Sequence, residues 1–139
     1  EEQEEDVTVV HCQLTDLSDV LPLLHVSIKV QVVCLLIIEL VLAQNRLRSI
    51  DDLPDLPHLV DLDLYDNLLA GLPTDIGTRF PSLKTLDISF NCLTSADELA
   101  GCTGLDRLYA SNNYLSNVAF TETLHSLRVL EVGNNKLLV

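Results

Sequence analysis

The chain has 139 residues, the size of one ordinary domain, with 47% hydrophobic residues and 30 leucines, enough apolar matter for a core. Its 21 acidic against 8 basic residues leave a net charge of −13. That balance excludes nucleic acid and anionic membrane surfaces as partners, because too few cations are present to displace phosphate counterions.

In chain order, the first six residues hold five acids, Glu1, Glu2, Glu4, Glu5 and Asp6. A signal peptide starts with a basic region and then an apolar run, so residues 1–6 read instead as a solvated, disordered acidic lead-in. Residues 7–139 read as one repetitive domain. A faint first copy of the repeat starts at Val7, with Val10, Cys12 and Leu17, and has Thr15 where later copies have asparagine. The apolar stretch 26–42 contains Lys29, Gln31 and Glu39 and is shorter than the ~20 apolar residues a membrane span needs.

From residue 37 the pattern L-x-x-L-x-L-x-x-N-x-L recurs five times. The copies are Ile37, Leu40, Leu42, Asn45, Leu47; Leu59, Leu62, Leu64, Asn67, Leu69; Leu83, Leu86, Ile88, Asn91, Leu93; Leu105, Leu108, Ala110, Asn113, Leu115; and Leu127, Leu130, Val132, Asn135, Leu137. The asparagines Asn45, Asn67, Asn91, Asn113 and Asn135 are 22, 24, 22 and 22 residues apart. A fixed period of this length marks a solenoid, since each unit has a flank that only the next unit can cover.

Positions four and six alternate with polar residues, which predicts a short strand with one face inward. The asparagine at position nine turns inward after the strand, where its amide can bond turn backbone in its own and neighbouring coils. Ile50, Leu53, Leu56, Val118, Phe120 and Leu124 supply apolar anchors for the convex return. The two extra residues of the 24-residue coil fall in Leu72-Pro73-Thr74-Asp75-Ile76-Gly77, on that convex side. Thr15 to Asn45 is eight residues too long, and the surplus lies near 25–36. A poorly ordered insertion, an extra strand or an error in the coding sequence would each account for it. Leu137, Leu138 and Val139 stand where a polar cap is expected, which predicts self-association through an uncapped C-terminal coil.

No chemistry-bearing motif appears. There is no G-x-S-x-G, no phosphate loop and no clustered His/Asp/Cys set, so no enzyme is expected. Cys12, Cys34, Cys92 and Cys102 form no C-x-x-C, and His11, His25, His58 and His125 are scattered. The cysteines read as free thiols, and no metal or cofactor is expected.

The strings LVDLDLYDNLL (59–69), LKTLDISFNCL (83–93), LDRLYASNNYL (105–115) and LRVLEVGNNKL (127–137) occur in that order. Their order resembles consecutive repeats of the SDS22-like leucine-rich-repeat regulatory subunits of type-1 serine/threonine protein phosphatase. The resemblance covers residues 7–139 apart from the insertion. It implies an α/β leucine-rich repeat solenoid, a right-handed arc with short parallel strands on the concave face and helical or irregular segments on the convex face. It implies a non-catalytic scaffold of nucleus and cytoplasm that grips the phosphatase catalytic subunit on its concave face. A leucine-rich repeat adaptor for another client, such as a cytoskeletal or ciliary protein, is the alternative. This chain has about half the family's repeats.

The concave rows can be read from the repeat itself. Position five gives Val41, Asp63, Asp87, Tyr109 and Glu131. Position three gives Glu39, Asp61, Thr85, Arg107 and Val129, and position eight gives Gln44, Asp66, Phe90, Asn112 and Asn134. Six carboxylates crowd these rows, with Arg107 as their one cation. Stacked like charges suit a basic-surfaced partner. Tyr109 and Phe90 are aromatic anchors of the kind that dominate interfaces. The resemblance makes position five the contact row, which singles out Asp87, Tyr109 and Glu131, then Asp63.

Overall fold

The computed structural model describes the backbone of residues 5–8 and residues 37–138 in full. Six strands, β1 (Glu5–Thr8), β2 (Ile37–Val41), β3 (Asp61–Asp63), β4 (Thr85–Asp87), β5 (Arg107–Tyr109) and β6 (Val129–Glu131), form one sheet in chain order. All neighbours are parallel. Parallel pairing follows from the period, because each coil crosses behind the sheet and re-enters in the same direction. The convex return carries a one-turn helix, α1 (Ile76–Arg79), and two 3-10 segments, η1 (Asp97–Gly101) and η2 (Ala119–Thr123). α1 absorbs the longer coil. This is a parallel-strand solenoid with helical turns on its outer side.

The core is the stack of repeat leucines. Leu40, Leu62, Leu86 and Leu108, all at position four, are fully buried, as are Leu42, Leu64, Ile88 and Ala110 at position six. Ile50, Leu53, Leu56, Phe120 and Leu124 close the convex side, with Val118 packed against them. In the last coil the same positions are looser. Leu127, Val132 and Leu137 are only partly buried, and Leu130 and Leu138 are exposed.

Two convex coils touch backbone to backbone. A Cβ on Gly77 would sit 2.3 Å from the carbonyl oxygen of Gly101, so only glycine lets α1 lie this close to η1. Arg79, mostly buried, ties the same layer together. Its guanidinium donates to the carbonyls of Asp51 (2.6 Å) and Leu53 (3.0 Å) and to the Asp75 carboxylate (2.9 Å).

The asparagine stack is continuous. Asn91 donates its amide to the carbonyls of Leu64 (3.0 Å), Ile88 (3.0 Å) and Ser89 (3.2 Å) and accepts from the Leu69 N–H at 3.0 Å. Asn113 and Asn135 repeat that pattern in the following coils, and Asn67 repeats it in the preceding one without the third donation; they accept from Leu93, Leu115 and Leu47. Asn45 donates to the carbonyls of Leu42 and Ala43 within its own coil. Asn67, Asn91, Asn113 and Asn135 thus each stitch two coils while satisfying turn carbonyls.

The first copy departs from the expected register. β1 already includes Glu5 and Asp6, so the lead-in is not uniformly outside the sheet. Val7, not Val10, pairs with Leu40, and the ladder shifts between Glu5 and Asp6. The segment between β1 and β2 is longer than one repeat, so the 22-residue period does not govern this pairing. Residues 1–4, Val10, Thr15, Leu17, Cys12, Cys34, His11, His25 and the surplus near 25–36 lie outside the described residues. Cys92 and Cys102 are free, Cys92 exposed and Cys102 buried. Burial pushes the Cys102 thiol up to about 11, which keeps it protonated and unreactive.

Candidate partner-binding face

The pairing register sets the concave rows. Glu39, Asp61, Thr85, Arg107 and Val129 pair in sequence across β2 to β6, and so do Val41, Asp63, Asp87, Tyr109 and Glu131. Within each strand the leucine between these residues is directed into the core, so positions three and five face the other way. Adjacent side chains in a row are separated by ~4.8 Å. Asp87, Tyr109 and Glu131 therefore stand side by side, with Asp63 next to Asp87. Asp63, Asp87 and Tyr109 are half-buried, whereas Glu131 and Arg107 are exposed.

Asp63 and Asp87 also serve the fold. The Asp63 carboxylate accepts the Tyr65 N–H at 3.0 Å, and the Asp87 carboxylate accepts the Ser89 N–H at 2.9 Å. Each closes the turn that follows its strand, as aspartate does in turns generally. Tyr109 and Glu131 make no such bond. The repeat pattern carries no hint of this capping role, because position five varies from coil to coil. Truncating either aspartate to alanine would mix a folding effect with a binding effect.

Burial pushes the Asp87 carboxyl above the usual carboxylate range. Hydrogen bonds from the Ser89 backbone and side chain oppose this, while the charges of Asp63 and Glu131 reinforce it. A carboxyl with a raised folded pKa is disfavoured in its ionised form. Its cost is absent below the unfolded pKa, grows as pH rises through the window up to the folded pKa, and is fully present at neutral pH. Asp87→Asn keeps an oxygen for the Ser89 N–H and removes the charge. It is expected to stabilise the free domain at pH 7 by a few tenths to about 1 kcal/mol, the scale of a cross-strand like-charge term. Urea midpoints at pH 7 and near pH 4 check this. The gain should shrink on acidification, and a gain independent of pH would mean that charge is not its source.

The position-eight row holds an unexpected conformation. Gln44, Asp66, Phe90, Asn112 and Asn134 all have positive φ, between 52° and 59°. This left-handed residue reverses the chain after the strand and aims the next asparagine inward. The N–H of each of the first four bonds the carbonyl at position seven of the following coil, at 2.7–2.9 Å. Asp and Asn tolerate the left-handed region, and a bulky residue is an outlier there. Phe90 is that outlier, with 46% of its surface exposed. Its ring lies 5.2 Å from that of Tyr65, tilted by 60°. Tyr65, at position seven, extends the aromatic area beside the acidic row and was not singled out by the three rows read from sequence.

Position two was also missed. Lys84, Asp106 and Arg128 occupy it in consecutive coils, on the rim where the strands begin, with Arg107 beside them. Arg128 grips the Asp106 carboxylate with two hydrogen bonds, and Arg107 lies 3.9 Å from it. The Arg128 hydrogen bond holds the Asp106 carboxyl below its ordinary value, partial desolvation opposes that, and the charges of Arg128, Arg107 and Lys84 add to the lowering. Among the described residues no group of three or more His, Cys, Asp or Glu side chains could hold a metal ion, and no helix is long and apolar enough to cross a membrane.

A parallel-strand solenoid with an inward asparagine stack and an open concave face defines a class, and the comparisons agree with it. Residues 57–115 match the leucine rich repeat family. The leucine-rich repeat domain of APL1 superposes with a TM-score of 0.77 at 26% identity, covering 96% of this chain and 34% of that one. The chain has the leucine-rich repeat fold. Within that fold its sequence is similar to SDS22-type regulatory subunits. It is 40% identical over 98 residues to the Arabidopsis thaliana protein phosphatase 1 regulatory inhibitor subunit PPP1R7 homolog, covering 70% of this chain and 28% of that protein. It is also 40% identical over 55 residues to the Saccharomyces cerevisiae protein phosphatase 1 regulatory subunit SDS22, covering 38% of this chain and 16% of that one. The chain thus spans less than a third of either relative's length.

Proposed function

We propose that this protein is a non-catalytic scaffold whose concave face docks the catalytic subunit of type-1 serine/threonine protein phosphatase, in the nucleus and cytoplasm. The observation that carries the reading is the contiguous row Asp87, Tyr109, Glu131, flanked by Phe90 and Tyr65. Half-buried and exposed carboxylates around aromatic rings suit a basic partner surface with an apolar centre. The similarity to two phosphatase regulatory subunits supports that choice of partner. The open face lacks the enclosure that tunes catalytic carboxylates, which favours binding over catalysis.

Titrating the type-1 catalytic subunit against wild type, Tyr109→Ala and Glu131→Ala at two salt concentrations tests the proposal. Neither side chain caps a turn, so both variants should fold normally. Tyr109→Ala is expected to raise the dissociation rate, costing about 1–3 kcal/mol of affinity as a buried anchor. Glu131→Ala should slow association and flatten its salt dependence. Wild-type affinity in both variants would remove the concave face from the interaction.

A further inference from the structure

In a chain of net charge −13, three cations gather on one rim of the concave face. Lys84, Arg107 and Arg128 surround one carboxylate, Asp106, which leaves two positive charges uncompensated. Arg107 and Arg128 keep 52% and 74% of their side-chain surface exposed, and Lys84 makes no ion pair among the described residues. No cation of the cluster acts on Asp87, the middle carboxylate of the acidic row; the charged groups that do are Asp63 and Glu131. The concave side of coils three to five is therefore polarised, anionic along position five and cationic along its leading rim.

We propose that this rim takes an acidic segment of the same partner that docks on the position-five row. The inference rests on the reading that the concave face binds a protein partner. Positions two and five are three residues apart, about 10 Å at ~3.3 Å per residue. That is close to the Debye length at physiological ionic strength, about 8 Å, so a partner spanning both stripes senses both signs. A uniformly basic surface drawn to Asp87 and Glu131 would be repelled by Lys84, Arg107 and Arg128. The complementary partner carries a basic stripe with a carboxylate-bearing stripe alongside it. Such a pair of stripes docks in one direction along the strands, since reversal sets like charges together.

The test is the double reversal Lys84→Glu with Arg107→Glu, leaving the Arg128–Asp106 pair intact. Its association rate with the type-1 catalytic subunit should fall about tenfold at low salt, and the gap to wild type should close at high salt. The charge-preserving pair Lys84→Arg with Arg107→Lys should associate like wild type, and melting temperatures should stay together. An unchanged or faster rate in the double reversal overturns the rim contact. If Tyr109→Ala and Glu131→Ala weaken binding while the double reversal does not, the rim inference fails alone. If none of these variants changes binding, or the wild type does not bind, the phosphatase reading fails with it.

Discussion

Asn91→Ala is expected to destabilise the domain by about 3 kcal/mol, because it strands several buried backbone groups at once. The Leu69 N–H loses its acceptor, and the carbonyls of Leu64, Ile88 and Ser89 lose a donor. Asn91 is 6% exposed, so water cannot substitute freely. The loss spans two coils, which couples it to the stacking that holds a solenoid together. The neighbouring row supplies the control. The Asn112 side chain donates no bond into the core and accepts only from Asn134, while its backbone N–H bond to Gly133 is kept in any substitution other than proline. Its φ of 59° means that alanine there would add left-handed strain of roughly 1–2 kcal/mol, so glycine is the cleaner replacement. Urea midpoints for Asn91→Ala and Asn112→Gly should differ clearly. Equal losses would show that the inward amide is not what binds the coils.

Phe90→Asn is expected to leave stability within about 1 kcal/mol of wild type, because two terms oppose each other. Asparagine relieves a left-handed backbone that phenylalanine occupies at a cost. The variant also gives up the ring contact with Tyr65, worth ~0.5–1.5 kcal/mol. Affinity should behave differently. A half-exposed aromatic held in an unfavourable conformation beside an acidic row is the sort of anchor that a partner desolvates, and its loss should weaken binding of the proposed phosphatase partner by about 10–100-fold. Thermal unfolding and titration of the same preparation separate the two effects. A variant that loses stability but keeps affinity would make Phe90 a packing residue.

Much of this molecule follows from its period. A 22-residue spacing of asparagines implies coils of equal length, and equal coils place equivalent positions side by side. That is why Leu40, Leu62, Leu86 and Leu108 stack, and why Asp87, Tyr109 and Glu131 share a row. Alternation within a strand then assigns each residue to the core or to the concave face without further information. The convex placement of the longer coil's two extra residues was legible for the same reason, since a longer coil must spend them away from the sheet, whereas the helical turn at Ile76–Arg79 was not.

The tertiary structure decided what periodicity does not encode. The left-handed backbone at Phe90 is imposed by the turn that every coil shares, although phenylalanine by itself disfavours it. The capping bonds of Asp63 and Asp87 depend on where the next backbone N–H falls after the strand. The pairing of Val7 with Leu40 reflects a first connection longer than one repeat, which frees that strand from the period. The cationic rim emerges only when Lys84, Arg107 and Arg128, up to two coils apart in sequence, close around Asp106. A repeating sequence determines which residues are neighbours, because position within the coil is preserved. Backbone conformation and charge pairing arise from packing between coils, where each side chain meets groups its own coil does not contain.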